Sequence, residues 1–244
     1  DYGKFSLGGG MNPNPVYNSA DQDLVDGIVA QKLRNSILWM VWGLATTLLT
    51  GVALLFNPNW LRLAFDHYNL ILFAELGIVF FFFFFSMSAS LTSLKAMFFL
   101  YSMMNGLTLT VIAIAYGMNV VVPAFIGTLA FFTAFAVVGK VVKRNLSSAY
   151  PYLLAALVAM ILVTLGMMFV GMNNTVSLVL GYVGVVVFSI FTAVDVNRIK
   201  NNITAVALTE DESILERVEL VGALNLYLDF INLFLSLLRV FGRK

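Results

Sequence analysis

At 60% hydrophobic and 11% charged, with a mean hydropathy of +0.91, this 244-residue chain is no ordinary soluble domain, for soluble chains run near 45–50% apolar and about 25% charged. A net charge of +1 offers neither a basic surface for nucleic acid nor an acidic tail. The absence of cysteine removes disulfides and thiol catalysis, and the lone histidine, His67, excludes a multi-histidine metal site. A spanning helix takes roughly 20 apolar residues, so the composition leaves room for a bundle of spans and little else.

In chain order, residues 1–34 read as a cytoplasmic N-terminal segment. It carries Gly8, Gly9, Gly10, Pro13, Pro15 and the acids Asp21, Asp23 and Asp26, with no apolar core after a basic start, so it is not a signal peptide. Residues 1–10 are compatible with an appended stretch ahead of Met11. Residues 35–244 read as a single transmembrane helical domain. Its spans fall at about 35–56, 69–91, 96–116, 119–139, 150–171 and 176–197, with a last apolar segment at about 218–240. Asn57-Pro58-Asn59 ends the first span, and Leu61–Tyr68 reads as a loop holding His67. Pro123 lies in the first turns of the fourth span. Ser147 and Ser148 are candidate caps before Pro151, while Gly171 and Asn173-Asn174 close the fifth span. Thr209 with Glu212 three positions on fits a capping box for the final helix. The Phe80–Phe85 run reads as lipid-facing surface, and Glu216, Arg217 and Glu219 as a solvated face.

Lysine and arginine gather in cytoplasmic loops. Here one side holds Lys32, Arg34, Lys95, Lys140, Lys143, Arg144, Arg198, Lys200 and Arg217, and the other only Arg62, so the N-terminus is cytoplasmic. The tail carries Arg239, Arg243 and Lys244, which favours a last segment that enters and returns, although its length permits a full crossing. The fold expected is an all-α seven-helix bundle, six transmembrane helices around a short or partly re-entrant C-terminal helix.

Charges in hydrocarbon are costly and mark function. Only Glu75, Asp195 and Asp229 lie inside apolar runs, and no lysine or arginine sits deep enough to be an obvious partner. Buried without a counter-charge, at least some of them should be protonated, or share a proton, near neutral pH. In the last segment Asn225, Asp229, Asn232, Ser236 and Arg239 recur at steps of 4, 3, 4 and 3, with Gly222 on the same stripe. Ser189, Thr192 and Asp195 share a face of the sixth span, as do Tyr101, Asn105 and Thr108 of the third. Lipid cannot satisfy such groups, so the stripes should turn towards a common interior. If Asp195 and Asp229 meet there, singly protonated they tie two helices together, and doubly ionised they repel and present transient calcium ligands. The plainer reading is two neutral carboxyls hydrogen-bonding across a helix interface.

The segment Gly222-Ala223-Leu224-Asn225-Leu226-Tyr227-Leu228-Asp229-Phe230-Ile231-Asn232-Leu233-Phe234 resembles the C-terminal signature of the transmembrane Bax-inhibitor-motif family. Phe191-Thr192-Ala193-Val194-Asp195 with Arg198-Ile199-Lys200 resembles the end of that family's sixth helix. Phe99-Leu100-Tyr101-Ser102 with Asn105-Gly106-Leu107-Thr108 resembles its third, and Ala74-Glu75-Leu76 its second. The likeness covers the chain from about residue 30 and points to the bacterial inner-membrane branch. It implies a pH-sensitive calcium leak governed by an aspartate pair matching Asp195 and Asp229, with Glu75 at an acidic position near the pore path. Some bacterial members carry an arginine later in the second helix that latches one aspartate. Here that stretch reads Ser86-Met87-Ser88-Ala89-Ser90, with Lys95 the next cation, so gating falls to the carboxyl pair alone or to Lys95 reaching back.

The function expected is a pH-sensitive calcium-permeable leak channel, with calcium as the transported ion, no tightly bound cofactor, and the lipid bilayer as its surroundings. The alternative is a regulatory membrane protein that binds a membrane-bound protease, as some bacterial relatives do, through residues 11–34. A proton-coupled transporter would show internal repeats, and none is evident. No enzyme is expected: intramembrane serine proteolysis needs a Ser–His pair and zinc hydrolases several histidines, and His67 lies in a loop on the far side.

Overall fold

A computed structural model describes residues 19–171, 173–208 and 211–242. Among these residues the chain is all helix and connection: α1 (Ser19–Leu55), α2 (Pro58–Asp66), α3 (Tyr68–Phe85), α4 (Leu91–Tyr116), α5 (Met118–Val141), α6 (Tyr150–Val170), α7 (Asn174–Val206) and α8 (Glu212–Phe241). Seven of them are long and apolar enough to cross a membrane.

Several helices outrun their apolar runs. Helix α1 starts at Ser19 rather than near residue 35, and its 37 residues extend about 55 Å, well beyond a hydrocarbon core of about 30 Å. Helix α7 likewise continues past residue 197 to Val206. Hydropathy marks where lipid stops, whereas backbone hydrogen bonding continues past that point. The expected 61–68 loop is mostly helix. Asn57 caps α2 by accepting the Trp60 N–H at 3.4 Å, and Pro58 opens its first turn, where an N–H would have no partner anyway. Ala64 is buried while Trp60, Leu63 and Phe65 are exposed. Nine residues are too few to register as a span. His67 is the joint between α2 and α3, its backbone N–H bonded to the Leu63 carbonyl.

Helix α3 stops at Phe85, and Ser90 starts α4 by accepting the Ser93 N–H at 3.1 Å. Ser147 and Ser148 make a 3-10 turn before α6 with no side-chain cap bond, and Pro151 falls in the helix's opening turn. Thr209 lies outside the described residues. The cap of α8 is Asp211, which accepts from the backbone N–H of Ser213 at 3.0 Å and from its hydroxyl at 2.6 Å. Those bonds hold the Asp211 carboxyl below the usual carboxylate range.

Lipid tails are as apolar as leucine, so helices in a membrane associate through close packing and hydrogen bonds. Helix α8 is the most enclosed of the seven and packs on α1, α4, α5 and α7. Glycines allow the approach. A Cβ on Gly139 of α5 would collide with the Ala193 carbonyl of α7, and one on Gly184 of α7 with the Ser236 hydroxyl of α8. A Cβ on Gly222 of α8 would come within 2.6 Å of the Ile199 side chain. Helices α3 and α6 lie outermost. In the Phe80–Phe85 run only Phe82 is buried; the rest face outward, as lipid-facing surface should.

Of the two courses open to the last segment, the length and apolar character of α8 fit the full one. Its 30 residues reach about 45 Å, and Gly242 packs on Tyr116, at the end of α4 opposite Lys95. The helix is therefore long rather than short, because its capped start adds polar turns before the apolar run. Arg239 then sits with Arg62 at the end away from the main group of basic residues, which outnumbers them.

Candidate functional site

The contacts between α7 and α8 fix an antiparallel register. Ile199 lies against Gly222 and Gly184 against Ser236, and a Cβ on Gly181 would come within 3.1 Å of the Arg239 Cβ. The same register sets Asp195 level with Asn225 and Asp229 level with Thr192. The two carboxyls are thus about one helical turn, roughly 6 Å, apart along the axis. Both belong to the interior, 4% and 5% exposed, close enough for the charge of one to bear on the other. Among the described residues no hydrogen bond joins them: Oδ2 of Asp229 is buried without a partner. A proton shared in a direct bond, as the sequence suggested, is replaced by an electrostatic pairing across one turn.

Asp195 does have a counter-charge. Nη1 of Arg198 donates to its Oδ1 at 3.3 Å, and the same guanidinium lies 3.9 Å from the centre of the Tyr150 ring on α6. The expectation that no basic residue could reach the carboxyls is therefore corrected. A long arginine one turn beyond Asp195 folds back along the helix face, so its Cα need not sit in hydrocarbon. The signal was present in the i, i+3 spacing. Lys95 does not take the latch position; it pairs with Glu216 at 3.4 Å and lies 5.7 Å above Trp39.

The three polar stripes do not share one interior. Thr192 donates to the Phe188 carbonyl and Asn232 to the Leu228 carbonyl, both along their own helices. Asn225 is half-buried and the Ser189 hydroxyl buried without a partner. Glu75 sits in a second centre between α3 and α4, accepting a hydrogen bond from Thr108. Asn105 contributes a buried, unpartnered amide nitrogen there. Tyr101 packs edge-on against Tyr227 of α8 at 5.8 Å, and the Tyr227 and Thr47 hydroxyls lie 2.6 Å apart. Asp229, two residues beyond Tyr227, points to the other side of α8, because 200° of helical rotation separates them.

A third polar cluster escaped the sequence reading. Glu219, taken for solvated surface, is 6% exposed. Its carboxylate accepts from Asn35 at 3.2 Å and Trp39 at 3.0 Å and lies 3.7 Å from the Lys32 ammonium, while Ser36 donates to its backbone carbonyl at 2.9 Å. Lys32 also pairs with Glu212, and Arg217 donates to the Ser86 and Ala89 carbonyls. Lys32, Asn35, Trp39, Lys95, Glu212 and Glu219 line a cavity of about 300 Å³ between α1, α4 and the start of α8. The steps of 4 and 3 between Glu212, Glu216 and Glu219 could have revealed a common face. The segment at 11–34, which the alternative reading expects to meet a protease, falls partly outside the described residues; its portion from Ser19 is the opening of α1.

Seven apolar helices and a carboxyl-bearing interior define a polytopic helical membrane protein. The family model described as inhibitor of apoptosis-promoting Bax1 matches residues 29–244, and the chain belongs to that family. It is 39% identical over 158 residues to the inner membrane protein YbhL of Escherichia coli K12, covering 65% of this chain and 66% of that one. It is 37% identical over 147 residues to an uncharacterized membrane protein of Streptococcus pyogenes serotype M6, covering 60% and 62%. An uncharacterized protein of Deinococcus radiodurans is 34% identical over 205 residues, covering 83% and 86%. The chain thus spans somewhat less than two thirds of the length of the first two relatives.

Proposed function

We propose that this is a passive, pH-modulated, calcium-permeable leak of a bacterial inner membrane, with Asp195 and Asp229 as its gating groups and no catalytic activity. The observation that carries the reading is the placement of two acidic side chains, from separate helices, inside the bundle and within electrostatic reach of each other. With one proton held, Asp195, Asp229 and Arg198 sum to zero charge, and a dry, close-packed interface is tolerable. With both carboxyls ionised the trio carries a net negative charge. That charge is costly among packed helices and draws in water and a cation. Two carboxylates fall short of the roughly six to eight oxygens calcium prefers, so an ion there keeps part of its water and leaves easily. Glu75, in its separate centre, is a further acidic point for the ion path.

The test is calcium entry into dye-loaded liposomes across a pH series, with Asp195→Asn and Asp229→Asn alongside. Each substitution should flatten the pH dependence. Flux profiles identical to the unaltered protein in both variants would rule out the pair as the gate.

A further inference from the structure

Lys140 stands in the last turn of α5, and Lys143 and Arg144 follow in the loop to α6. All three side chains are exposed, and none makes an ion pair among the described residues. The sequence has no aspartate or glutamate between Glu75 and Asp195, so α4, α5 and α6 bring no acid to this corner. The cations lie directly beyond an outward apolar surface formed by Val122, Ile126, Leu129 and Val137 of α5. On α6, Tyr152 is 79% exposed at the same level, a usual place for an interfacial aromatic. Positive charge at the rim of a lipid-facing surface is complementary to an anionic headgroup whose tails lie on that surface.

The loop is also fastened to α7. Asn197 is fully buried. Its Oδ1 accepts the Leu146 N–H at 2.9 Å, and its Nδ2 donates to the Val142 and Arg144 carbonyls, each at 3.2 Å. Lys200 donates to the Val142 carbonyl at 2.7 Å and the Lys140 carbonyl at 3.2 Å. Its ammonium thus braces the end of α5 rather than joining the exposed patch. Asp195 is two residues before Asn197 on the same continuous helix.

We propose that Lys140, Lys143 and Arg144 form a headgroup site for an anionic phospholipid, joined through Asn197 to the turn of α7 that carries Asp195. Headgroup binding stands on the patch alone; its consequence for gating rests on the reading of Asp195 given above. Lipid held at the loop restrains the backbone around Asn197, and with it the position of the Asp195 carboxyl.

Binding is read by native mass spectrometry of the detergent-purified full chain, titrated with phosphatidylglycerol or phosphatidylcholine, beside the surface variant K140Q/K143Q/R144Q. Each cation lost should weaken phosphatidylglycerol binding about fivefold, so the triple variant should lose on the order of a hundredfold, with phosphatidylcholine unaffected. Equal phosphatidylglycerol binding by the two proteins overturns the site. Competition by free glycerol phosphate at concentrations matching the lipid overturns the assignment to a lipid. Hydrogen exchange supplies an arm independent of flux: phosphatidylglycerol should slow exchange across residues 193–200 in the unaltered protein and not in the triple variant. Bound lipid without slowed exchange overturns the link to α7.

Discussion

Replacing Glu219 with alanine removes an acceptor from a site that is 6% exposed. The Asn35 amide and the Trp39 indole N–H, at 3.2 and 3.0 Å, lose their partner, while Lys32 keeps Glu212. Hydrogen bonds to a charged group are worth about 1.5–3 kcal/mol each. Two such bonds give about 3–6 kcal/mol, close to the roughly 3–5 kcal/mol lost when one partner of a buried ion pair is removed. That should lower the thermal unfolding midpoint of the purified protein by on the order of 10 °C. Glu219→Gln keeps the shape and an acceptor oxygen and should lose less than half as much. Trp39→Phe separates bonding from packing: it should cost about 1.5–3 kcal/mol in the unaltered protein and little once Glu219 is alanine. A Glu219→Ala midpoint within 2 °C of the unaltered protein, or additive effects in the double variant, would show Glu219 to be solvated.

Arg198→Gln takes away the cation 3.3 Å from Asp195. That attraction lies between about 1 kcal/mol in water and about 5 kcal/mol at an effective dielectric of 20. With the arginine side chain 31% exposed, the lower end applies, about one pH unit. Liposomal calcium entry should therefore begin about one unit higher in pH, and an unmoved profile removes Arg198 from the gate. Gly139→Ala places a methyl against the Ala193 backbone carbonyl, where no side chain can yield, and should cost about 1–3 kcal/mol in unfolding. Gly77→Ala, which meets nothing within 4 Å, is the control that should stay at or above the original midpoint. Asn197→Ala orphans the Leu146 N–H and takes a donor from the Arg144 carbonyl, while Lys200 still serves that of Val142; exchange in residues 142–149 should rise at least tenfold, and unchanged protection would show that the loop holds itself.

Single carboxyls in long apolar runs already named Glu75, Asp195 and Asp229, because burial of a charge is visible in composition alone. Spacing also put Ser236 and Gly222 on one face of the last helix, and both meet α7. Spacing could not rank that face against its neighbours. Tyr227 and Asp229 stand two residues apart, yet one belongs with Thr47 and Tyr101 and the other with Asp195. Glu219 looked like a solvated acid because its donors, Asn35 and Trp39, are 184 and 180 positions earlier in the chain.

From the residues alone came the class of protein, the number of long apolar helices and the end of the bundle that holds most of the cations. These depend on the price of placing each side chain in hydrocarbon, a property summed along the chain. The axial offset of Asp195 from Asp229, the arginine that reaches the former and the orphaned oxygen of the latter came from tertiary structure. They follow from where glycines let two helices slide into register, and contact between distant surfaces is not a sum over sequence.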